Sequence, residues 1–337
     1  MLKIFENRAT ASGAWQGLDA WQAPATQAPA AHPLEMVEPP ASALMTAPTE
    51  PLLPQQTAGA PAGKKLTTDI KTIAFCGPSG GVGKTTMAIN VAFELAAAGH
   101  RVALADLDVC SPNLLAALNQ DPITAGLLGV KRLVEQSRFI TADLERLLMV
   151  LNFDGVRLSI LPGVPAPAEH ADLQSLALVA EAVVPALAES FDFVVLDLPS
   201  MDAAPEVLES GLRICDANIA ICSGDPVGVQ RFFWLQQRLA KLKLQSEPQV
   251  VVNAVRDSVL GSNAKRQLAD TFERVSHTEV IAFVPHDQSS FDLAMREGLP
   301  LSLAKKGSAA RHAIAMFVRQ GLLNQRTQLD WRVASNG

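Results

Sequence analysis

The stretch FCGPSGGVGKTT, Phe75–Thr86, decides how the rest of the chain is read. Before it lies an apolar run, TIAFCG (Thr72–Gly77), that predicts a buried strand. After it Met87, Val91 and Leu95 recur at i, i+4 and i+8, which predicts a helix over Thr85–Ala98, stopped by Gly99. A buried strand, a glycine-rich turn and a helix opening on Lys-Thr form the setting of a phosphate-binding loop. Gly80, Gly81 and Gly83 let the backbone wrap an anion without Cβ clashes and turn its N–H groups inward. Val82 and Thr86 belong to the same cradle, and the helix start adds its positive dipole end. Lys84 is placed to reach the outer phosphates, and the Thr85 hydroxyl to ligate Mg²⁺. Two residues break the pattern. Pro78 stands where the motif usually has its first glycine, and Ser79 stands just before the glycine pair.

Two later segments bring carboxylates to the same place. VALADLDVCSPN puts Asp106 and Asp108 at the end of the next predicted strand. FDFVVLDLPS ends an apolar strand on Asp197, the position of a carboxylate near Mg²⁺. Open parallel sheets bind ligands at the carboxyl ends of their strands, so these residues converge with the loop. Further strands are expected at LSILPG, which an Asp154-Gly155 turn pairs with LLMVLNF, and at ANIAICS, QVVVNAV and TEVIAFVP. Helical segments such as Asp225–Leu242 fill the intervals. Unbroken apolar strands joined by helices predict an α/β fold of the P-loop NTPase kind: a mostly parallel sheet covered by helices on both faces.

The 337 residues are 48% hydrophobic and 18% charged, with a net charge of −6, which suits a packed core and argues against a nucleic-acid coat. No run of about 18 apolar residues predicts a membrane span, and MLKIFENRAT lacks the apolar stretch of a secretory signal. Cys76, Cys110, Cys215 and Cys222 form no CxxC pair and are expected as reduced thiols. Residues 1–65 hold nine of the 22 prolines and are expected to be a disordered Pro/Ala-rich arm. Its AWQGLDAW segment (Ala14–Trp21) is a candidate docking motif. The P-loop domain is expected over 66–325, and a tail over 326–337. No HExxH or HxxxH pattern points to zinc.

The run GGVGKTTMAINVAFELAAAGHRVALADLD resembles the start of the MinD/ParA family of deviant Walker-A ATPases, with Asn90 at the family's asparagine. SFDFVVLDLPS, VVVNAV and VIAFVPHDQSSFDLAMREGLPL are similar to later family segments. The hairpin FDGVRLSILPGVP and the helix GDPVGVQRFFWL look most like the CpaE/TadZ-like branch of pilus assembly and septum-site determination. The resemblance implies ATP and Mg²⁺ as ligands, with Asn253 and Pro285 at the base. Asp108 would position the attacking water, and Asp106, Thr85 and Asp197 would serve the metal. It implies an ATP-dependent homodimer, protein partners in a membrane-associated machine, and a place in the cytoplasm or at the inner face of the membrane. In the family a lysine at the Ser79 position reaches across that dimer, so slow hydrolysis or a weak dimer is expected here.

A non-hydrolysing, nucleotide-bound scaffold is the alternative that Ser79 favours. DNA partitioning would need Arg296, Lys305, Lys306, Arg311 and Arg319 to form one basic patch. The apolar face of AARHAIAMFVRQGLL, through Ile314, Phe317, Val318 and Leu322, fits a closing helix of the fold better than a lipid anchor. A tyrosine autokinase of the same superfamily fits worse, because it needs a tyrosine-rich tail and these 337 residues hold no tyrosine.

Overall fold

Strands whose successive residues are apolar have no face to give to water, and such segments form the centre of an eight-stranded sheet among the described residues, with the half-exposed pair β3 and β4 at one edge. The computed structural model describes residues 70–323, apart from 123–125, 170, 171, 245, 262 and the side chain at 145. The arm over 1–65 with its aromatic segment and the tail over 326–337 lie outside the described residues. The strands are β1 (Thr72–Cys76), β2 (Val102–Asp106), β3 (Met149–Phe153), β4 (Val156–Leu161), β5 (Phe193–Asp197), β6 (Ala217–Ser223), β7 (Gln249–Val255) and β8 (Val280–Pro285). Their order is β3-β4-β2-β5-β1-β6-β7-β8. Every pairing is parallel except β3 with β4. Those two form the expected hairpin: Phe153 faces Val156 across a turn in which Asp154 and Gly155 have φ 52° and 87°. Two central residues in the left-handed region match the right-handed twist of a hairpin's strands.

The central strands β1, β2 and β5 are buried at every position. One face packs on the helices Leu127–Glu135, Leu173–Ser190, Pro205–Ile214, Pro226–Leu239 and Ala264–Ser276. The other packs on α1 (Lys84–Ala97) and the helices Gln288–Glu297 and Ala309–Phe317. The mostly parallel, two-sided sheet read from the sequence is what forms. Leu173–Ser190 is, among the described residues, the one helix long and apolar enough to cross a membrane. Its Leu176, Ala180, Val183 and Leu187 are spent on the core. Ile314, Phe317, Val318 and Leu322 are likewise buried in the closing segment.

α1 starts one residue before the expected Thr85 and buries Met87, Val91 and Leu95 against the sheet. It ends in a Schellman motif: the His100 N–H donates to Leu95 O (3.3 Å) and the Gly99 N–H to Ala96 O (3.0 Å). Phe93 meets Phe153 edge-on at 6.0 Å, pinning the helix to the hairpin. Asn90, 6% exposed, acts as a clasp. Its Nδ2 donates to Thr86 O (2.8 Å), and its Oδ1 accepts the buried Leu301 N–H (2.7 Å).

Removing that acceptor strands a buried donor, which costs about 1–3 kcal/mol. Asn90→Ala is therefore expected to lower the unfolding free energy by about that amount in a urea titration; an unchanged midpoint would refute the clasp.

Candidate nucleotide-binding site

β1 ends at Cys76 and α1 begins at Lys84, so residues 77–83 form the turn over the carboxyl edge of the sheet. Gly83 caps the helix with φ 100°, and a Cβ there would stand 2.4 Å from Asn253 Nδ2. Only glycine meets both conditions. The first turn of α1 carries no side-chain cap and no acidic residue, so its amides and dipole are left for an anion. The Lys84 stem passes close over Gly77, where a Cβ would lie 3.3 Å from Lys84 Cδ.

Asp106 and Asp197 end β2 and β5 as direct register partners. The Thr85 hydroxyl donates to Asp197 Oδ2 (2.5 Å), while Asp197 Oδ1 is buried without a partner. The Lys84 ammonium lies 3.8 Å from Asp108 Oδ2, both side chains being buried. Asp106 uses its oxygens on backbone: Oδ1 accepts the Asp108 N–H (3.1 Å) and Oδ2 the Leu114 N–H (3.3 Å). It thus fixes the turn that presents Asp108. Asp108 in turn accepts the Ser111 N–H (3.2 Å).

Burial dominates the electrostatics. It pushes the Asp197 carboxyl up to about 7, against the opposing pull of the Thr85 hydroxyl and Lys84. It pushes Asp106 well above the usual range, with the neighbouring Asp197 charge adding to it. Asp108 is raised by burial too, partly offset by Lys84. Among the described residues no three His, Cys, Asp or Glu side chains form a metal cage. Mg²⁺ needs none: it binds through one or two carboxylates, a hydroxyl, water and substrate phosphates. The unpartnered Asp197 oxygen beside the Thr85 hydroxyl fits that requirement.

Asn253 lies against the loop rather than apart from it. Its Nδ2 donates to Val82 O (2.9 Å), and its own carbonyl accepts the Gly224 N–H (2.7 Å). A register shift between Val252 and Val255, with Ala254 at φ 55°, turns the strand there. Pro285 pairs with Val255, and the exposed His286 donates its N–H to Val255 O (3.0 Å). Pro285 therefore sits one strand beyond the Asn253 tether, at the same sheet edge. The basic patch does not assemble as one set of free charges. Arg311 is paired with Glu94 (3.3 Å), which also takes the Ser302 hydroxyl, and Arg296 is paired with Glu297 (3.2 Å). One acidic residue escaped the sequence reading: Glu206, in the first turn after Pro205, has Oε2 buried without a partner. Burial raises the nearby Cys110 thiol, with Asp108 and then Glu206 adding to it, and the Cys110 Sγ donates to Ala203 O (3.4 Å). An acid following a helix-starting proline was the only signal for it.

A family model for the CobQ/CobB/MinD/ParA nucleotide binding domain matches residues 73–301. The chain belongs to that family. Among solved structures, MinD of Pyrococcus horikoshii, complexed with Mg-ADP, is 20% identical with a TM-score of 0.58, covering 77% of this chain and 99% of that one. The MinC:MinD cell division complex of Aquifex aeolicus gives 19% identity and a TM-score of 0.59, over 77% of this chain and 98% of that one. A Cyanothece McdA–ATP complex gives 19% and 0.59, again over 77% and 98%. At these identities the likeness is one of fold. A septum site-determining protein MinD of Mesostigma viride is 47% identical over 51 residues, 15% of this chain; the chain spans only 18% of that relative's length.

The raised carboxylates set a pH dependence. A carboxyl whose folded value lies above its unfolded value stabilises the fold at low pH, and that contribution is lost as pH rises through the folded value. For Asp197 the loss accrues as pH rises from the ordinary carboxylate value and is complete just above the folded value of about 7. Asp192, Asp225 and Asp287 shift the other way, below the ordinary carboxylate value, so they oppose this only in more acidic solution. The nucleotide-free protein is expected to melt at a higher temperature in mildly acidic buffer than above pH 7. Asp197→Asn should reduce that difference; a melting profile insensitive to the substitution counts against the reading.

Proposed function

We propose that this chain binds ATP with Mg²⁺ and serves as a slow ATPase that switches a localisation factor between two states. The observation that carries the reading is the convergence of Lys84, Thr85, Asp108 and Asp197 at an uncapped helix start. Membership of a nucleotide-binding family supports it, as do relatives solved with Mg-ADP and with ATP. The relatives named for septum-site determination and cell division support a positioning role. The CpaE/TadZ-like features of the hairpin and of the Gly224–Leu235 segment favour a pilus, secretion or division machine.

The backbone amides of residues 80–86 would hold the phosphates. Lys84 would leave its contact with Asp108 to share its charge with the outer phosphates. Asp108, freed of that partner, would accept a hydrogen bond from the attacking water and orient it. Mg²⁺, held by Thr85 and Asp197, would neutralise charge on the phosphate oxygens, while Asp106 would keep the Asp108 turn in place. Asn253 and Pro285 would flank the base from the β7–β8 edge. Ser79 supplies no positive charge. A cationic group supplied in trans is worth about 10³–10⁵ in rate in related phosphoryl transfer, so turnover here is slow. A non-hydrolysing scaffold is the second reading, and the neutral Ser79 is the observation that favours it.

Single-turnover hydrolysis of radiolabelled ATP separates the two. The switch reading expects slow phosphate release that Lys84→Ala abolishes; release indistinguishable from that of the variant leaves only the scaffold. Light scattering with ATP–Mg²⁺ should show a dimer that Lys84→Ala does not form.

A further inference from the structure

We propose that the Ser79 hydroxyl is a phosphate donor acting within its own subunit, and that it replaces the donor that Pro78 removes from the loop. The proposal rests on the nucleotide-binding reading and deepens it.

Ser79 Oγ is buried and has no hydrogen-bond partner, although its neighbours Gly80 and Gly81 are exposed. Buried polar atoms are nearly always paired, so each exception asks for an explanation. Among the described residues four side-chain atoms are in this state: Ser79 Oγ, Asp197 Oδ1, Glu206 Oε2 and Asn218 Oδ1. Asn218 is otherwise well held, because its Nδ2 donates to both Leu212 O and Ser246 O. Of the rest, Asp197 and Ser79 belong to the loop and the carboxylate it touches. A hydroxyl withdrawn from water at that point carries a desolvation cost that a bound phosphate would repay.

The loop chemistry says what the ligand group is. Proline has no N–H, so position 78 gives the cradle one amide fewer than any other residue would. The next residue carries a hydroxyl, which can donate one hydrogen bond. Bonds from an O–H to an anionic oxygen are short and stronger than neutral ones, which suits a phosphate. Reach decides between the two possible locations of that phosphate. A serine side chain ends one bond beyond Cβ, so Oγ can serve only a group lying in its own loop. It cannot cross to a second copy of the chain. The substitution therefore changes the kind of contact at this position: a short, neutral donor to the chain's own nucleotide, independent of assembly.

Calorimetry with Mg–ADP and with a slowly hydrolysed Mg–ATP analogue tests this on the full chain, comparing wild type, Ser79→Ala and Ser79→Thr. Ser79→Ala is expected to weaken at least one of the two nucleotides by about tenfold or more. Ser79→Thr, which keeps the hydroxyl, should retain the affinity. The loss should be equal at low and high protein concentration, since donor and phosphate belong to one chain. Without nucleotide, Ser79→Ala should unfold at the wild-type temperature or above it, because it removes an orphaned hydroxyl and no bond. Unchanged affinity of Ser79→Ala for both nucleotides overturns the proposal and leaves the cradle standing. So does a destabilised nucleotide-free Ser79→Ala whose affinity is normal, which would mark a structural role. A wild type that binds neither nucleotide overturns the cradle itself.

Discussion

Three buried carboxylates face one buried ammonium at the carboxyl edge of this sheet, and that imbalance governs the site. Neighbouring strands lie about 4.8 Å apart, so Asp106 and Asp197, as register partners on β2 and β5, stand at strand spacing. Two ionised carboxylates cannot share such a position without a cation or a proton. Lys84 makes its ion pair with Asp108, and its pull on Asp197, with the Thr85 hydroxyl, only partly offsets what burial does to the Asp106–Asp197 pair. The fold alone does not neutralise this edge. A divalent cation accompanied by a polyphosphate would, since it brings positive charge to Asp197 and negative charge to Lys84 and the helix amides at once.

The rest of the architecture holds those groups where the imbalance is useful. Parallel pairing brings the ends of β1, β2, β5, β6 and β7 to one edge, so residues far apart in sequence meet above it. Asn253 ties the glycine-rich loop to β7 through Val82. Asn90 ties the helix that follows the loop to Leu301. Glu94, Ser302 and Arg311 fasten the same helix again, nearer its C-terminal end. The loop is therefore anchored on both sides, by a side chain from the sheet and by side chains along α1. Geometry of that kind preorganises donors before a ligand arrives.

Much of this was legible in the sequence. Runs such as FVVLD and VALAD carry their own evidence, because an all-apolar strand can only lie between two covered faces. The Lys-Thr helix start and the strand-ending aspartates follow from the same pattern, and the Asp-Gly turn from the left-handed preference of its two residues. What stayed hidden depends on contacts across the fold. Asn253 meets the loop because β7 bulges at Ala254, and no local pattern announces that bulge. Asp106 has both oxygens engaged by backbone amides, which separates its role from that of Asp197 although the two look alike in sequence. Arg311 looked like one member of a basic surface until Glu94 appeared beside it. The four-residue helices Leu114–Ala117, Asp257–Leu260 and Leu301–Ala304 are too short to show a period and form where packing demands a turn.

The β3–β4 hairpin has a consequence in time. Its two strands close through a two-residue turn, whereas every other pair in the sheet is parallel and must wait for an intervening crossover. Hairpins form in about 1–10 μs, far ahead of long-range parallel pairing. The edge of the sheet farthest from the loop is thus available as an early template. Phe153, at its tip, offers α1 an aromatic landing point while the interior strands are still finding their order.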